Sequence, residues 1–272
     1  MNDRQPGEPG IAPKPVSDAL LVERSGPVLW VTFNRPEQRN AMTWSMYDGL
    51  LGACREADDD PGLRALVLRG AGGQSFVAGT DIAQFGEFEG GAAGVEYERR
   101  MTALIDRVGA VSVPTVAVVT GFCVGAGLAL AAACDLRIAS RPSVFGVPIA
   151  RTLGNCLSAA TTSLLVSHFG LGRTLDLLLR ARMMTAQEAY AAGFLSELCG
   201  PDEIDATATA LVDRLVEHAP LTMWAAKEAV RRLRTSTRPD DADILDRVYG
   251  SEDFRAGVRA FMAKERPAWK GR

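Results

Sequence analysis

Residues 114–140, PTVAVVTGFCVGAGLALAAACDLRIAS, constrain the fold more than any other stretch of the chain. A β-branched apolar run (115–120) enters a turn with Gly125, Ala126 and Gly127, continues as an alanine-rich helix, and returns to an apolar run at 136–139. Strands this short and this uniformly apolar have to be covered on both faces, which points to a parallel sheet flanked by helices. Residues 28–33 and 64–68 are strands of the same kind, the first running from Gly26-Pro27 into the turn Asn34-Arg35-Pro36. Thr43 opens a helix whose Met46, Leu50 and Ala53 share a face. The glycine-rich segment 85–94 has no period and reads as a mobile loop. Beyond Pro201 the strand signal disappears. Ile204, Ala208, Leu211, Val212 and Leu215 keep helical spacing, Pro220 breaks that helix, and amphipathic stretches follow over 223–233 and 253–264. The expected architecture is therefore α/β with a helical last third.

Composition removes several functional classes. With 30 Lys plus Arg against 33 Asp plus Glu and a pI near 5.6, nothing draws the chain toward nucleic acid or anionic lipid. The basic cluster Arg231, Arg232, Arg234 and Arg238 reads as a solvated helix face. Cysteines 54, 123, 134, 156 and 199 are odd in number and contain no CxxC pair, so neither a disulfide framework nor a zinc site is expected, and a reducing cytoplasm fits. His168 and His218 are the chain's two histidines and there is no HExxH, which argues against a histidine-built metal site. No apolar run reaches the roughly 18 residues of a membrane span. The first 19 residues, rich in Pro and Gly, read as a disordered tail.

Two glycine-rich turns could carry chemistry: SFVAGTDIAQF at 75–85 and GFCVGAGLALAAACD at 121–135. Small residues there let backbone N–H groups point into open space near a helix start, where the dipole favours negative charge, and two such turns facing one cavity would form an oxyanion hole. Close packing of a helix on a sheet demands the same residues, so each turn alone is weak. GxGxxG, GxxxxGK[ST] and GxSxG are all absent. The nearest mimic of the last, Gly154 to Ser158 around Cys156, lacks the final glycine, and His168 reads as a packed core histidine.

Taken in order, several segments resemble the enoyl-CoA hydratase/isomerase (crotonase) family. They are VTFNRPEQRNAM (31–42), RALVLRG (64–70), FVAGTDI (76–82), residues 114–140, GLGRTLDLLLRARMMTAQEAYAAGFLSEL (170–198) and FMAKERPAWKGR (261–272). The resemblance spans about residue 21 to the end. It implies a spiral of ββα units over 20–200 followed by a helical trimerisation region over 201–272, so a homotrimer or a hexamer of paired trimers. It also implies an acyl-CoA thioester as substrate and no cofactor beyond the CoA moiety. The backbone N–H groups of Thr80 and Ala126 then match the family's oxyanion hole. Arg39, Ala41, Ala78, Asp81 and Ile82 match its CoA-holding strip, and Phe261 and Lys264 the C-terminal pair that reaches a CoA.

The family's two hydratase glutamates have no acidic counterpart here. The first position is Ala129; the second is Ile149 or Ala150, depending on which flank sets the alignment. Residues 87–106 offer other acids, Glu87, Glu89, Glu96, Glu98 and Asp106, together with Tyr97; of these Glu87, Glu96 and Asp106 are the shortlist for an acid or base. Arg151, Thr152, Asn155 and Cys156 fall where a pocket wall is expected. Three readings stay open: an enzyme that stabilises a thioester enolate, a non-catalytic acyl-CoA-binding or scaffold protein, and a Cys156 thioesterase.

Overall fold

A computed structural model of the chain describes residues 14–86, 88, 90–235 and 241–269. Strands β1 (Lys14–Ser17), β2 (Leu20–Ser25) and β3 (Val28–Phe33) form an antiparallel meander, and helix α1 (Trp44–Asp59) follows. Three ββα units come next: β4 (Ala65–Gly70), β5 (Ser75–Val77) and α2 (Gly91–Gly109); β6 (Thr115–Val119), β7 (Phe122–Val124) and α3 (Ala126–Ala133); β8 (Leu136–Ser140) and β9 (Val144–Gly146), followed by the single turn α4 (Ile149–Thr152) and by α5 (Ala159–Leu179). Then come β10 (Met183–Thr185), α6 (Ala186–Ala191), β11 (Glu197–Cys199) and four helices, α7 (Ile204–Glu217), α8 (Pro220–Thr235), α9 (Ala242–Tyr249) and α10 (Glu252–Ala263).

The first strand of each unit joins a seven-stranded sheet in the order β1-β2-β3-β4-β6-β8-β11, parallel from β3 onward; the second joins a four-stranded sheet in the order β10-β9-β7-β5. The chain thus advances as a spiral of ββα turns. Side chains alternate across the large sheet. Val28, Val67, Val116 and Ile138 face α7 through Ile204, Ala208, Leu211 and Val212. Leu29, Val31, Leu66, Leu68, Ala117 and Val119 face the main core. Burial on both faces explains why these strands carry no polar alternation.

The structure departs from the sequence reading at three places. Lys14–Ser17 pairs with β2 as an edge strand, within the stretch expected to be a loose tail; residues 1–13 lie outside the described residues. The segment expected to be a loop over 85–94 is helical from Gly91, because this end of α2 packs on α9, whose sequence position is too distant for local periodicity to register. The helical last third is also not one appendix. α7 covers the outer face of the large sheet, whereas Leu245, Tyr249, Phe254 and Val258 of α9 and α10 complete the main core.

Helix α3 runs through the centre of the molecule, and Gly127–Ala133 are all buried. Its last carbonyls have no helical partners, and Arg137, 6% exposed, supplies them. That guanidinium donates to the carbonyls of Ala131, Cys134, Asp135 and Phe194 and lies over the Phe194 ring at 4.8 Å. No carboxylate is needed, because the negative end of the helix dipole already favours the cation. Replacing Arg137 by Met leaves several buried carbonyls unpaired, each costing about 1–3 kcal/mol. We expect Arg137→Met to lower stability by at least about 3 kcal/mol, read as a fall in the urea midpoint at unchanged slope.

Candidate active site

A cavity of about 580 Å³ opens between the two glycine-rich turns, α2, the α4 turn and the end of α10. The first turn follows β5. Asn40, fully buried at φ 57°, ties this turn to the one after β3, donating to the carbonyls of Ala71 and Ser75 and accepting from the Arg35 N–H. Met42 pairs in parallel with Thr80, adding a bridge at the edge of the small sheet. Asp81 caps the short 3-10 turn Ile82–Phe85 through the Ala83 N–H and accepts from Arg35 at 2.9 Å. Sequence reasoning assigned nothing to Asn40 or Arg35; their signal is an Asn followed by Ala within NRPEQRNAM, which local propensity alone does not decode.

The second turn precedes α3. Gly125 adopts φ 56°, ψ −119°, a conformation that side chains resist. A Cβ on it would lie 3.7 Å from Gly79 Cα, so the two turns face each other across the cavity. Gly127 serves packing: a Cβ there would come within 2.1 Å of the Val77 carbonyl oxygen on β5. Both readings of the turn, open N–H group and close packing, therefore hold, at different glycines. Thr80 and Ala126 line the cavity. Among the described residues neither backbone N–H has a recorded hydrogen-bond partner, whereas the neighbouring Asp81 and Gly125 N–H groups donate to Met42 and Gly146. The Thr80 hydroxyl is held from behind by Tyr47 at 2.6 Å and Tyr97 at 2.7 Å, and burial pushes both phenols up, so they stay protonated.

Arg39, Ala41, Ala78, Asp81, Ile82 and Phe261 all line the same cavity; Lys264 does not and caps α10 in the left-handed conformation. Arg39 lies over the Phe122 ring at 5.0 Å. Ala129 and Ile149 both form cavity wall, while Ala150 is exposed and outside it. Arg151, Thr152 and Asn155 line the cavity; Cys156 does not, and burial pushes its thiol up to about 12, which leaves the thioesterase reading without a nucleophile. His168 is a core histidine bonded to the Ala132 carbonyl oxygen at 2.8 Å and lowered to about 4 by burial.

The shortlisted acids fare differently. Glu87 lies outside the described residues. Glu96 is exposed and paired with Arg99 at 2.7 Å, and neither it nor Asp106 lines the cavity. Among the described acids of 87–106, the one that does is Glu98, 3% exposed. Its oxygens accept from the Tyr249 hydroxyl at 2.7 Å and the Ser158 N–H at 2.9 Å. Helical spacing could have singled it out, since Glu98, Met101 and Ile105 stand at i, i+3 and i+7 and all face the cavity. Around Tyr97 and Tyr249 the rings of Phe85, Phe88 and Phe254 close this end, with Phe85 4.9 Å from Tyr97 and Phe254 4.9 Å from Tyr249.

Comparison with known proteins agrees with this geometry. The family model described as enoyl-CoA hydratase/isomerase matches residues 23–272. The chain belongs to the enoyl-CoA hydratase/isomerase family. It is 30% identical over 257 residues to the 2,3-dehydroadipyl-CoA hydratase of Escherichia coli, covering 93% of this chain and 99% of that one. A solved enoyl-CoA hydratase/carnithine racemase from Magnetospirillum magneticum is 31% identical, with a TM-score of 0.77 and 94% and 97% coverage. A methylmalonyl-CoA decarboxylase solved with 2-nitronate-propionyl-CoA is 26% identical, with a TM-score of 0.83 over 93% and 99% of the chains. These relatives share the crotonase spiral. No helix among the described residues is long and apolar enough to cross a membrane, and no group of three metal-ligating side chains occurs among them.

Burial raises the Glu98 carboxyl from 4.5 to about 7, with the Tyr249 and Ser158 hydrogen bonds opposing the rise and Asp241 adding to it. A carboxyl raised on folding contributes stability that is complete below its unfolded value and lost as the pH climbs through its folded value. The protein should therefore lose up to about 3 kcal/mol from this group between roughly pH 4.5 and 8. In Glu98→Gln that pH-dependent part vanishes, which denaturant midpoints at pH 5 and pH 8 would register as a smaller difference than in the wild type.

Proposed function

We propose that the chain processes acyl-CoA thioesters through an enolate held in the oxyanion hole of Thr80 and Ala126. The observation that carries this reading is the pair of open backbone N–H groups on facing turns, one of them at the start of the buried helix α3. Charge that develops on a thioester oxygen there is stabilised by preorganised donors in a largely apolar cavity, where each donor is worth about 10²–10³ in rate. Arg39, Ala41, Ala78, Asp81, Ile82 and Phe261 would hold the CoA moiety, with Lys264 reaching it from outside the cavity; no other cofactor is required. With Ala129 and Ile149 apolar, simple hydration by paired carboxylates has no support, and reactions that need one proton carrier fit better. The relatives' names, a hydratase, a racemase and a decarboxylase, all describe chemistry on acyl-CoA thioesters.

The chain also works as an oligomer in this proposal. α8 is amphipathic yet has no buried residue within one chain, and Leu221, Trp224 and Val230 on it are exposed. Phe261 and Met262 line the cavity while remaining 46% and 59% exposed, which suits a rim that a neighbouring subunit completes. A trimer, or a pair of trimers, is the expected assembly.

The test is α-proton exchange of butyryl-CoA in D₂O, followed by mass spectrometry. Wild-type protein should exchange. Thr80→Pro deletes one oxyanion donor and should slow exchange about 10²–10³-fold, whereas Thr80→Val, which keeps the N–H and loses the hydroxyl, should retain most of it. Tight butyryl-CoA binding with no exchange would replace this reading by that of a non-catalytic acyl-CoA-binding protein.

A further inference from the structure

Of the two carboxyls that line the cavity among the described residues, Asp81 is paired with Arg35, whereas Glu98 has no cationic partner and no part in the oxyanion hole. Glu98 sits on the cavity face of α2 with Met101 and Ile105, directly beside Tyr97, whose hydroxyl bonds Thr80 at 2.7 Å. Its two oxygens are held by donors from two other elements: the Tyr249 hydroxyl at the end of α9 and the N–H of Ser158, the residue that caps α5. Tyr249 is itself reached by the Asn155 amide at 3.3 Å, and Asn155 also lines the cavity. An ionisable group kept on the apolar stretch of wall with Met101 and Ile105, with both oxygens aimed by fixed donors, has the arrangement of a proton carrier.

We propose that Glu98 moves the proton in the enolate chemistry of this cavity, taking the place of the carboxylates absent at Ala129 and Ile149. The proposal rests on the enolate reading above. In the step, the Glu98 carboxylate removes a proton from the carbon α to the thioester. The C–H pair becomes the Cα=C bond of the enolate, and the carbonyl π pair moves onto the oxygen facing Thr80 and Ala126. Reversal from the Glu98 carboxylic acid returns the proton, to the same carbon in exchange or racemisation, or to the γ carbon of a 3-enoyl chain as its double bond shifts. Atoms and charge balance without any co-reactant. The substrate class is therefore an acyl-CoA with a removable α proton, and the reaction class is proton shuttling by a single acid-base. Tyr249 is a positioning residue, acting through Glu98.

The groups that face Glu98 are all acids: Tyr97 on its own helix, Tyr47 of α1, Cys156 before α5, Asp241 before α9, and Tyr249. The base must be ionised, so exchange should rise with pH and level off near the Glu98 value of about 7. Removing the Tyr249 donor, which favours the carboxylate, should move that midpoint upward.

The experiment measures butyryl-CoA exchange in D₂O and conversion of trans-3-hexenoyl-CoA from pH 5 to 9, together with butyryl-CoA affinity, for the wild type, Glu98→Gln, Glu98→Asp and Tyr249→Phe. Glu98→Gln should lose at least about 10²-fold in exchange with affinity within about threefold of wild type, and Glu98→Asp should recover part of the loss. Tyr249→Phe should keep exchange with its pH midpoint raised, and it carries the test alone if Glu98→Gln does not fold. Wild-type exchange matched by Glu98→Gln, or an unmoved midpoint in Tyr249→Phe, overturns the role of Glu98 and leaves the enolate reading standing. Absence of exchange in the wild type overturns both.

Discussion

The site depends on one constraint: an apolar helix buried end to end must have both of its unsatisfied ends answered. At its C-terminal end α3 is answered by Arg137, which donates to the carbonyls of Ala131 and Cys134. At its N-terminal end no hydrogen bond among the described residues answers the Ala126 N–H, and the helix opens into the cavity. Burial of Gly127–Ala133 fixes the helix axis, so the open N–H is aimed by packing and requires no side chain of its own. The facing turn is fixed just as indirectly, through Asn40 and the Met42–Thr80 bridge. Open N–H groups placed by backbone packing do not depend on the side chains around them, which are apolar at Ala129 and Ile149.

Proton transfer has no such freedom, because it needs a particular group at a particular place. On α3 and on the α4 turn the wall is apolar, at Ala129 and Ile149. The cavity's buried carboxyl, Glu98, comes from α2, and it is held by α9 and the cap of α5. Its cost is the desolvation of a carboxyl, offset by two hydrogen bonds, and the balance leaves its proton affinity near neutrality. A group so poised can both accept and return a proton.

The four last helices divide their work by surface chemistry. α7 places its apolar stripe on the outer face of the large sheet, and α9 and α10 pack Tyr249 and Phe254 in the main core, against the cavity-lining rings of Tyr97 and Phe85. α8 is left with charged pairs, Arg231 and Arg232 on Glu228, a link from Lys227 to Asp135, and exposed Leu221 and Trp224. The basic cluster expected to be a solvated face is thus ion-paired within its own helix at two of its positions; Arg238 lies outside the described residues.

Much of the fold was legible in the residues themselves, because short unbroken apolar runs such as 115–119 or 28–33 require a sheet covered on both faces, and glycine turns between them leave few ways to connect. The two turns that carry the open N–H groups of Thr80 and Ala126 were legible for the same reason: they are marked by the glycines that shape them. Helical boundaries that depend on a distant surface were not, as Gly91 at the start of α2 illustrates. Nor was the acid. Glu96 and Glu98 are two residues apart and chemically alike, and a helix presents one to solvent beside Arg99 and the other to the cavity. By itself the sequence determined the α/β class with its doubly covered strands, the two turns and the apolar character of Ala129 and Ile149. Only the tertiary structure decided which carboxyl faces the cavity, because its hydrogen-bond partner Tyr249 lies 151 residues further along the chain and meets it through packing alone.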